Sequence, residues 1–146
     1  MSNIPSAFHA FRVHNDEQGY RAGIETCQLD QLSPGDLVIK VLWSSVNYKD
    51  ALAGTGKGKI LRHFPLVGGI DSAGVIVHSD HPDFKIGDEV LVTGCGQSET
   101  RDGGYSQYLR IESQWAIPKP DGLSLREAMG LGLSLIHISE PTRLSL

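Results

Sequence analysis

Asn47, Tyr48 and Asp50 stand close together in the run Trp43–Asp50 and are the side chains of this sequence best suited to polar chemistry. An amide and a phenol can donate hydrogen bonds to an oxygen that becomes negative during a reaction. Both residues fall where a predicted strand passes into a predicted helix, and Asn47 is in position to cap that helix. We therefore predict that Asn47 and Tyr48 polarise a substrate carbonyl.

A purely structural interpretation of the same three residues is also open. In this interpretation Asn47 only caps the helix, Tyr48 packs in the core and Asp50 pairs with a nearby cation. The two interpretations differ in where the phenol ring of Tyr48 lies. A ring at an open groove favours chemistry, and a ring sealed in the interior favours structure alone.

A glycine- and lysine-rich loop follows at Gly54–Lys59. Its spacing is not that of a phosphate-binding loop, G-x-x-x-x-G-K-[ST], and no strand leads straight into it, so we exclude that motif. Lys57, Lys59, Arg62 and His63 still form a local positive cluster in a chain of net charge -4. Such a cluster can meet phosphate groups, and the alternative is a solvated loop.

Short strands and turns must position these residues. Runs rich in apolar and β-branched residues predict strands at Ala7–Val13, Asp36–Trp43, Gly69–His78, Asp88–Thr93 and Tyr105–Ile111. Asn47–Ala53 predicts one or two helical turns, and a second helix begins at Ser124, with Glu127 completing a capping box. Strands at this spacing favour an all-β barrel.

The composition fits a single globular domain, because 146 residues with 40% hydrophobic content can bury one core. Nucleic acid is not expected as the main partner, since the sequence is mildly acidic, with a pI of about 5.8, and has no basic tail. The sequence has neither a signal peptide nor a run near the roughly 20 apolar residues of a membrane span. Cys27 and Cys95 are too few for a disulfide framework, so we predict a cytoplasmic protein.

Two runs together carry a family resemblance: Ser44–Asp50, and the glycine-rich Pro65–Gly74 some twenty residues later. They resemble the substrate-domain signature of the zinc-independent medium-chain dehydrogenase/reductases, and in particular the quinone-oxidoreductase-like acryloyl-CoA reductases. The resemblance covers about residues 7–132. It implies a mainly β fold, a GroES-like partly open β-barrel with short helices, which in a full-length parent is joined to a Rossmann domain that this sequence lacks.

The resemblance also implies an activity for the parent. It implies hydride transfer from NADPH to the β-carbon of an activated alkene such as acryloyl-CoA, or to a quinone, by a homodimeric enzyme. Tyr48 would reach the nicotinamide cofactor, while Asn47 and Asp50 hold the substrate geometry. Asp71 would shape the wall of the active site. A buried Asp71 carboxylate bonded to backbone amides is the alternative.

The same resemblance gives the positive loop a possible ligand. Lys57 and Arg62 would meet the phosphates of coenzyme A or of NADPH, and both are taken as candidate substrate-binding residues. The glycines Gly68, Gly69 and Gly74 do not form the G-x-G-x-x-G dinucleotide fingerprint. The cofactor is therefore expected to be bound mainly by the missing domain.

Zinc is not expected in this chain. Zinc-dependent relatives have a Cys at the position of Asn47 and a His at the position of Ile70, and a catalytic zinc needs three protein ligands. His78 and His81 lack a third partner and are predicted to be surface histidines. Cys95 is predicted to be an inert, packed thiol.

We expect two segments in the sequence. Residues 1–132 form the GroES-like domain, and residues 133–146 form a non-native tail that departs from the relatives' pattern and looks like translated sequencing-library adaptor. Without a dinucleotide site, the fragment is expected to be inactive by itself. Two other functions stay open: a quinone or enone reductase of the same superfamily, and a non-enzymatic GroES-like binding module.

Overall fold

The structure is a computed structural model and describes residues 4–57 and 60–130. Within those ranges the chain forms eight strands, one α-helix and two 3-10 turns, and residues 125–130 are also helical. The strands are β1 Phe8–Asp16, β2 Gly19–Cys27, β3 Leu37–Ser44, β4 Leu66–Val67, β5 Asp71–Ser79, β6 Glu89–Thr93, β7 Tyr108–Ile111 and β8 Ile117–Pro118. Helix α1 is Tyr48–Thr55, and the 3-10 turns are Leu29–Gln31 and Ser113–Trp115.

The strands form two sheets in which every pairing is antiparallel. A three-stranded sheet has the order β2-β1-β4, and a five-stranded sheet has the order β7-β3-β5-β6-β8. Strands β1 and β2 form a hairpin whose register runs without a shift from Phe8 opposite Cys27 to Asp16 opposite Gly19. Strand β3 lies between β7 and the central strand β5 of the larger sheet and leads directly to the residues of interest.

A short bridging segment, residues 105–107, joins the two sheets. On one side the N–H of Phe11 in β1 donates to the carbonyl of Tyr105 at 2.7 Å, and the N–H of Gln107 donates to the carbonyl of His9 at 3.0 Å. On the other side the N–H of Val41 in β3 donates to Gln107 at 3.0 Å. The two sheets therefore curve into a partly open barrel, which confirms the predicted fold.

The main core lies inside the larger sheet. Its largest buried side chains come from alternate positions of β3, β5, β6 and β7, as period-two patterning requires: Leu37, Ile39, Ile76, Val90, Val92, Leu109 and Ile111. A second cluster lies between the sheets and includes Phe8, whose ring contacts that of Tyr108 with centroids 5.4 Å apart. Tyr105 of the bridging segment packs against this second cluster.

Helix α1 begins at the predicted cap and runs two residues beyond the predicted end at Ala53, to Thr55. Asn47 is its N-cap, with extended backbone, and the Asp50 carboxylate accepts a hydrogen bond from the Asn47 N–H at 2.8 Å. The helix stops at Gly56, whose φ of 75° is left-handed and suits a glycine. The predicted capping box of the second helix is confirmed as well, because Ser124 and Glu127 exchange hydrogen bonds at 3.1 and 3.0 Å.

All five predicted strands are confirmed, but the hairpin strand β2 was not predicted. Its sequence, Gly19–Cys27, mixes charged residues with glycines, and most of its side chains are exposed. It is held by its pairing with β1 rather than by a buried face, so its residues carry little hydrophobic signal. The predicted tail at 133–146 lies outside the described residues. No helix in the described ranges is long and apolar enough to cross a membrane.

Substitution of Gly103 tests the close backbone contact between the residues just before the bridging segment and the loop before β5. A Cβ added at Gly103 would lie 2.0 Å from the carbonyl oxygen of Gly69 and 2.7 Å from that of Gly68. We expect Gly103→Ala to lower the free energy of unfolding by about 2–3 kcal/mol, because backbone must move. Chemical denaturation measures this change.

Gly54→Ala is the matched control. Gly54 lies in α1, where an added Cβ would meet only the Phe11 ring at an ordinary 3.7 Å. Since alanine favours a helix, we expect unchanged stability or a gain of up to about 1 kcal/mol. Equal stability of the two variants would contradict the close backbone approach at Gly103.

Candidate functional site

The predicted polar residues meet where β3 ends. The chain leaves β3 at Ser44, passes through Ser45 and Val46, and enters α1 at Asn47. Strand β5 begins beside this turn with Asp71, because β3 and β5 pair up to Ser44 opposite Ser72. The antiparallel pairing therefore brings residues far apart in sequence to one end of the barrel. We call Ser45, Asn47, Asp50 and Asp71 the polar network.

Asp71 is the most deeply buried member of the polar network, with 1% of its surface exposed. Its Oδ2 accepts hydrogen bonds from Ser45 Oγ at 2.9 Å and from Asn47 Nδ2 at 3.2 Å. Burial raises the pKa of the Asp71 carboxyl, and the nearby Asp50 raises it further. Ser45 and Asn47 hold Oδ2 through their side chains, and a backbone contact with Gly94 opposes the rise of the pKa, so the backbone-amide alternative of the sequence analysis is present in part.

Asp50 is also buried, and its partners are backbone groups. One carboxylate oxygen accepts from the Asn47 N–H at 2.8 Å, and the other accepts from the Ile70 N–H at 3.1 Å. No cation pairs with Asp50 in the described part of the chain, so the predicted alternative of an ion pair is wrong. Asp50 instead fastens the start of α1 to the residue that precedes β5.

The Asn47 amide points into the polar network. Its Nδ2 lies 3.1 Å from Ser45 Oγ, 3.2 Å from Asp71 Oδ2 and 3.4 Å from Asp50 Oδ2. An amide has two N–H groups, and three acceptors compete for them here. The predicted donation from Asn47 to a substrate carbonyl would require one of these bonds to be given up.

Tyr48 lies outside the polar network, at the first turn of α1. Its ring is 77% exposed, and the neighbouring Val46 is 83% exposed. The alternative that Tyr48 packs in the core is therefore wrong. The phenol faces solvent, on a turn that Asn47 and Asp50 hold in place.

Tyr105 is a member of the site that the sequence analysis used only as the start of a strand. Its O–H donates to the carbonyl oxygen of Ser45 at 2.7 Å, and its ring packs edge-on against Phe11. Burial and the charges of Asp50 and Asp71 raise the pKa of the Tyr105 phenol, which stays protonated at neutral pH. The signal that could have found it is the pair Gly103–Gly104, since two glycines before an aromatic residue indicate close backbone approach.

An open groove of about 720 Å³ lies beside the polar network. Its wall is mostly apolar and includes side chains of β1, β2 and β3 together with two polar residues of the site: Phe11, Ile24, Trp43, Val46, Asp50 and Tyr105. The guanidinium of Arg126 lies over the Trp43 ring, 5.6 Å from its centroid. Asp50 and Tyr105 therefore connect the buried network to the groove.

Lys57 and Arg62 lie outside the groove wall, and both are exposed. Lys57 follows the end of α1, and the Arg62 N–H donates to the Glu99 carbonyl at 2.7 Å. Lys59, the third cation of the predicted cluster, is outside the described ranges. The structure thus leaves the phosphate-binding role of Lys57 and Arg62 a prediction.

The positions that hold zinc in zinc-dependent relatives carry other groups here. Ile70 is buried with 5% exposure, and in residues 4–57 and 60–130 no three His, Cys, Asp or Glu side chains gather as a metal site. His78 bonds Asp80, and His81 accepts from the Asp83 N–H. Cys95 is exposed on a turn at φ 54°, so the prediction that it is packed was wrong. Burial of its surroundings still raises the Cys95 pKa.

Comparison with known proteins identifies what this chain is similar to. The family described as "Alcohol dehydrogenase GroES-like domain" matches residues 33–121. "Probable acrylyl-CoA reductase AcuI" of Escherichia coli (strain K12) is 47% identical over 111 residues, which cover 76% of this chain and 34% of that protein. "Putative quinone oxidoreductase YhfP" of Bacillus subtilis (strain 168) is 40% identical over 129 residues, covering 88% of this chain and 39% of that protein.

A solved structure shows the same similarity in three dimensions. The yhdH oxidoreductase of Salmonella enterica, in complex with NADP, superposes with a TM-score of 0.81 at 44% identity and covers 85% of this chain. The match takes in 38% of the Salmonella chain. This sequence therefore spans between a third and two fifths of the length of the relatives it matches.

The raised pKa of Asp71 predicts a pH dependence of stability. Because the folded state raises this pKa above its ordinary value of 3.8, the folded chain holds the proton more tightly than the unfolded chain. The stabilisation is full below the unfolded-state pKa and is lost as pH rises through the folded-state pKa. Asp71→Asn removes this titration, so the stability of the native sequence relative to the variant should fall as pH rises above about 4.

Urea unfolding across this pH range measures the difference, with a slope of at most about 1.4 kcal/mol per pH unit. Asp30→Asn, which removes one exposed carboxylate, is the matched control for the loss of charge. Parallel stability curves for the native sequence and Asp71→Asn would show that burial does not perturb this carboxyl.

Proposed function

Because the chain belongs to the alcohol dehydrogenase GroES-like domain family, we propose that it is the substrate-binding part of an NADPH-dependent oxidoreductase that reduces the activated C=C bond of acryloyl-CoA. The observation that carries the proposal is an exposed Tyr48 standing on a turn fixed by two buried carboxylates. The similarity to the acrylyl-CoA reductase and to an NADP-bound oxidoreductase supports the proposal.

The residues of the open end fit the nicotinamide part of a cofactor. Tyr48, Val46 and Trp43 offer exposed rings and methyl groups to a planar ring, and Tyr48 adds one hydrogen-bond donor. The cofactor, when bound, supplies the hydride that adds to the β-carbon of the alkene. These residues fit only the nicotinamide part of the cofactor, since the sequence carries no G-x-G-x-x-G run for the dinucleotide phosphates.

The chain's own residues then hold the substrate and its developing charge. Addition of hydride to the β-carbon places negative charge on the thioester oxygen, and a proton is taken up at the α-carbon. The Tyr48 phenol is the exposed donor of the rim and can stabilise that charge or align the cofactor. Asn47, Asp50 and Asp71 keep the Tyr48 turn in place, and Asp71 with Ser45 fixes the Asn47 amide.

Lys57 and Arg62 would hold phosphates at the edge of this site. Both are exposed and lie in the segment that follows α1, in a chain of net charge -4. Local positive charge attracts phosphate in spite of a negative total. We assign them to coenzyme A and not to the small reacting group, because neither lines the groove beside Asp50.

A quinone or enone reductase of the same superfamily is the second candidate. The groove favours it, because a volume of about 720 Å³ with a mostly apolar wall exceeds what a three-carbon acyl group needs. The similarity to the Bacillus subtilis protein, which is named as a putative quinone oxidoreductase, supports this second candidate. Both candidates share hydride transfer and differ in the acceptor.

The function is tested in a chimaera in which residues 4–130 of this chain replace the matching segment of the Escherichia coli relative. We expect NADPH oxidation with acryloyl-CoA, measured as the loss of reduced-nicotinamide absorbance. With a small quinone we expect a lower kcat/KM. Tyr48→Phe should lower kcat by about 10²-fold, because it removes one donor to developing charge. Tyr108→Phe, which alters a core ring packed on Phe8, is the matched control.

Three outcomes would count against the proposal. A folded chimaera that binds NADPH but reduces neither acceptor rejects the reductase function. Faster turnover of the quinone than of acryloyl-CoA replaces the first candidate with the second. Equal activity of Tyr48→Phe and Tyr108→Phe rejects the role of the exposed phenol.

The phosphate assignment has a separate test in the same chimaera. Lys57→Gln with Arg62→Gln should raise the KM for acryloyl-CoA about ten-fold and leave kcat nearly unchanged, since the bonds form equally in ground and transition states. The KM for a quinone without phosphates should not move. Lys85→Gln, an exposed lysine on another turn, is the control. A rise in the KM for NADPH instead would move the pair to the cofactor.

A further inference from the structure

Gln97 is a buried amide on the loop between β6 and β7, and only 1% of its surface is exposed. Its Nε2 lies 2.6 Å from the carbonyl oxygen of Ile70, 3.3 Å from that of Val92 and 3.4 Å from that of Gly94. Its Oε1 accepts a hydrogen bond from Ser72 Oγ at 3.3 Å. Both ends of the amide are therefore used, and they join the loop to β5, to β6 and to the residue before β5.

Two of these partners are the chain neighbours of Asp71. Ile70 precedes Asp71 and Ser72 follows it, so the Gln97 amide bonds the chain on both sides of the buried carboxyl. Side chains alternate between the faces of a strand, so the Ser72 side chain points to the face opposite that of Asp71. Gln97 therefore holds the backbone of β5 on one face, while the rest of the polar network bonds the Asp71 side chain on the other.

The same amide also acts on Asp50, through Ile70. The Ile70 N–H donates to the Asp50 carboxylate at 3.1 Å. The Ile70 carbonyl accepts from Gln97 Nε2 and, at 3.1 Å, from the Gly94 N–H. One backbone group of Ile70 is thus fixed by the polar network and the other by the loop. Because Asp50 is bonded to the residue next to Asp71, the position of Gln97 sets the separation of the two carboxyls.

The loop that carries Gln97 is strained. Cys95 and Ser98 have left-handed φ angles of 54° and 62°, although neither is a glycine. Gly94 and Gly96 are left-handed as well, with φ angles of 65° and 82°. Strained backbone of this kind persists only where surrounding contacts hold it, and it clusters at functional sites. The bonds of the Gln97 side chain are such contacts, so the strain is a second reason to connect this loop with the site.

We propose that Gln97 is a positioning residue for the reductase reaction, which fixes the separation of Asp50 and Asp71 and, through them, the turn that carries Tyr48. The role in catalysis rests on the proposed function, whereas the effect on the two carboxyls is measured without any activity. A neutral amide suits this place, because a third charge beside two buried carboxyls of the same sign would be costly. Loss of the amide should loosen the loop from β5, admit water and move the carboxyls apart.

The pKa of Asp71 in the 146-residue chain reports this separation, and carbon-13 NMR of labelled aspartate carboxyls measures it. Burial raises the pKa of Asp71, the charge of Asp50 raises it further, and the Tyr105 phenol is the other titratable group coupled to it. Gln97→Met keeps the length of the side chain and removes every bond of the amide. We therefore expect the Asp71 pKa to fall toward its ordinary value of 3.8, by about half a unit or more. Asp71→Asn assigns the resonance.

Two control variants separate positioning from a general loss of stability. Gln31→Met is the same substitution at an amide that accepts from the Gln28 N–H at 2.7 Å in a 3-10 turn, outside the polar network. Ile76→Val removes one methylene from the core side of β5 and lowers stability without touching an atom of the polar network. We expect both controls to keep the Asp71 pKa within about 0.2 units of its native value.

Activity is measured in the chimaera with acryloyl-CoA. Gln97→Met should lower kcat about ten-fold and change KM less than about two-fold, because a displaced Tyr48 loses contacts that act in the transition state. Ser72→Ala removes only the bond to Oε1, so it should lower kcat by a smaller factor. Gln31→Met and Ile76→Val should match the native chimaera.

An unchanged Asp71 pKa in folded Gln97→Met overturns the proposal. So does an equal fall of kcat in Gln97→Met and Ile76→Val, because the loss would then follow stability alone. A native chimaera without activity counts against the proposed function and not against the position of Gln97, which the Asp71 pKa tests by itself. If Gln97→Met does not fold, Ser72→Ala decides by the same two measurements.

Discussion

Two carboxylates removed from water, Asp50 and Asp71, are the constraint on which the open end of the barrel depends. Buried charges of the same sign are costly unless donors surround them. The donors here are Ser45, the Asn47 side chain and the N–H groups of Asn47 and Ile70. These donors come from the turn after β3 and from the residue before β5, so the carboxylates fix the distance between the two segments. The position of Tyr48, which comes directly after Asn47, is fixed as a result.

The bridging segment 105–107 transmits this constraint to the rest of the fold. Its backbone bonds β1 on one side and β3 on the other, while the Tyr105 phenol bonds the carbonyl of Ser45 inside the turn. One segment therefore joins the two sheets and also fixes the Ser45 end of the polar network. The groove lies between these same parts, so its shape is set by the sheets that form its wall.

Local patterning predicts much of this fold but little of the contact network. The β-branched run of β3 and the Asn47 cap predict their elements, because strand and cap preferences act within a few residues. Asn47, Tyr48, Asp50 and Asp71 were singled out from residue type and family resemblance. Their bonds were not predicted, since the partner of Asp71 is chosen by the β3–β5 register. Most side chains of β2 are exposed, so its sequence lacks the hydrophobic pattern that predicts a strand. The hydrogen bond of Tyr105 joins it to Ser45, which is distant in sequence, so local patterning could not predict it.

The hydrogen bond between Tyr105 and Ser45 has a thermodynamic consequence for any ligand that binds beside the polar network. Folding itself has already removed the conformational freedom of this turn, because the backbone carbonyl, the amide and both carboxylates each have a partner in the free protein. A ligand therefore binds to a pre-organised surface, and little binding free energy is lost to the ordering of protein side chains. The largely exposed side chains of Tyr48 and Val46 keep torsional freedom, and so they can adjust to the guest.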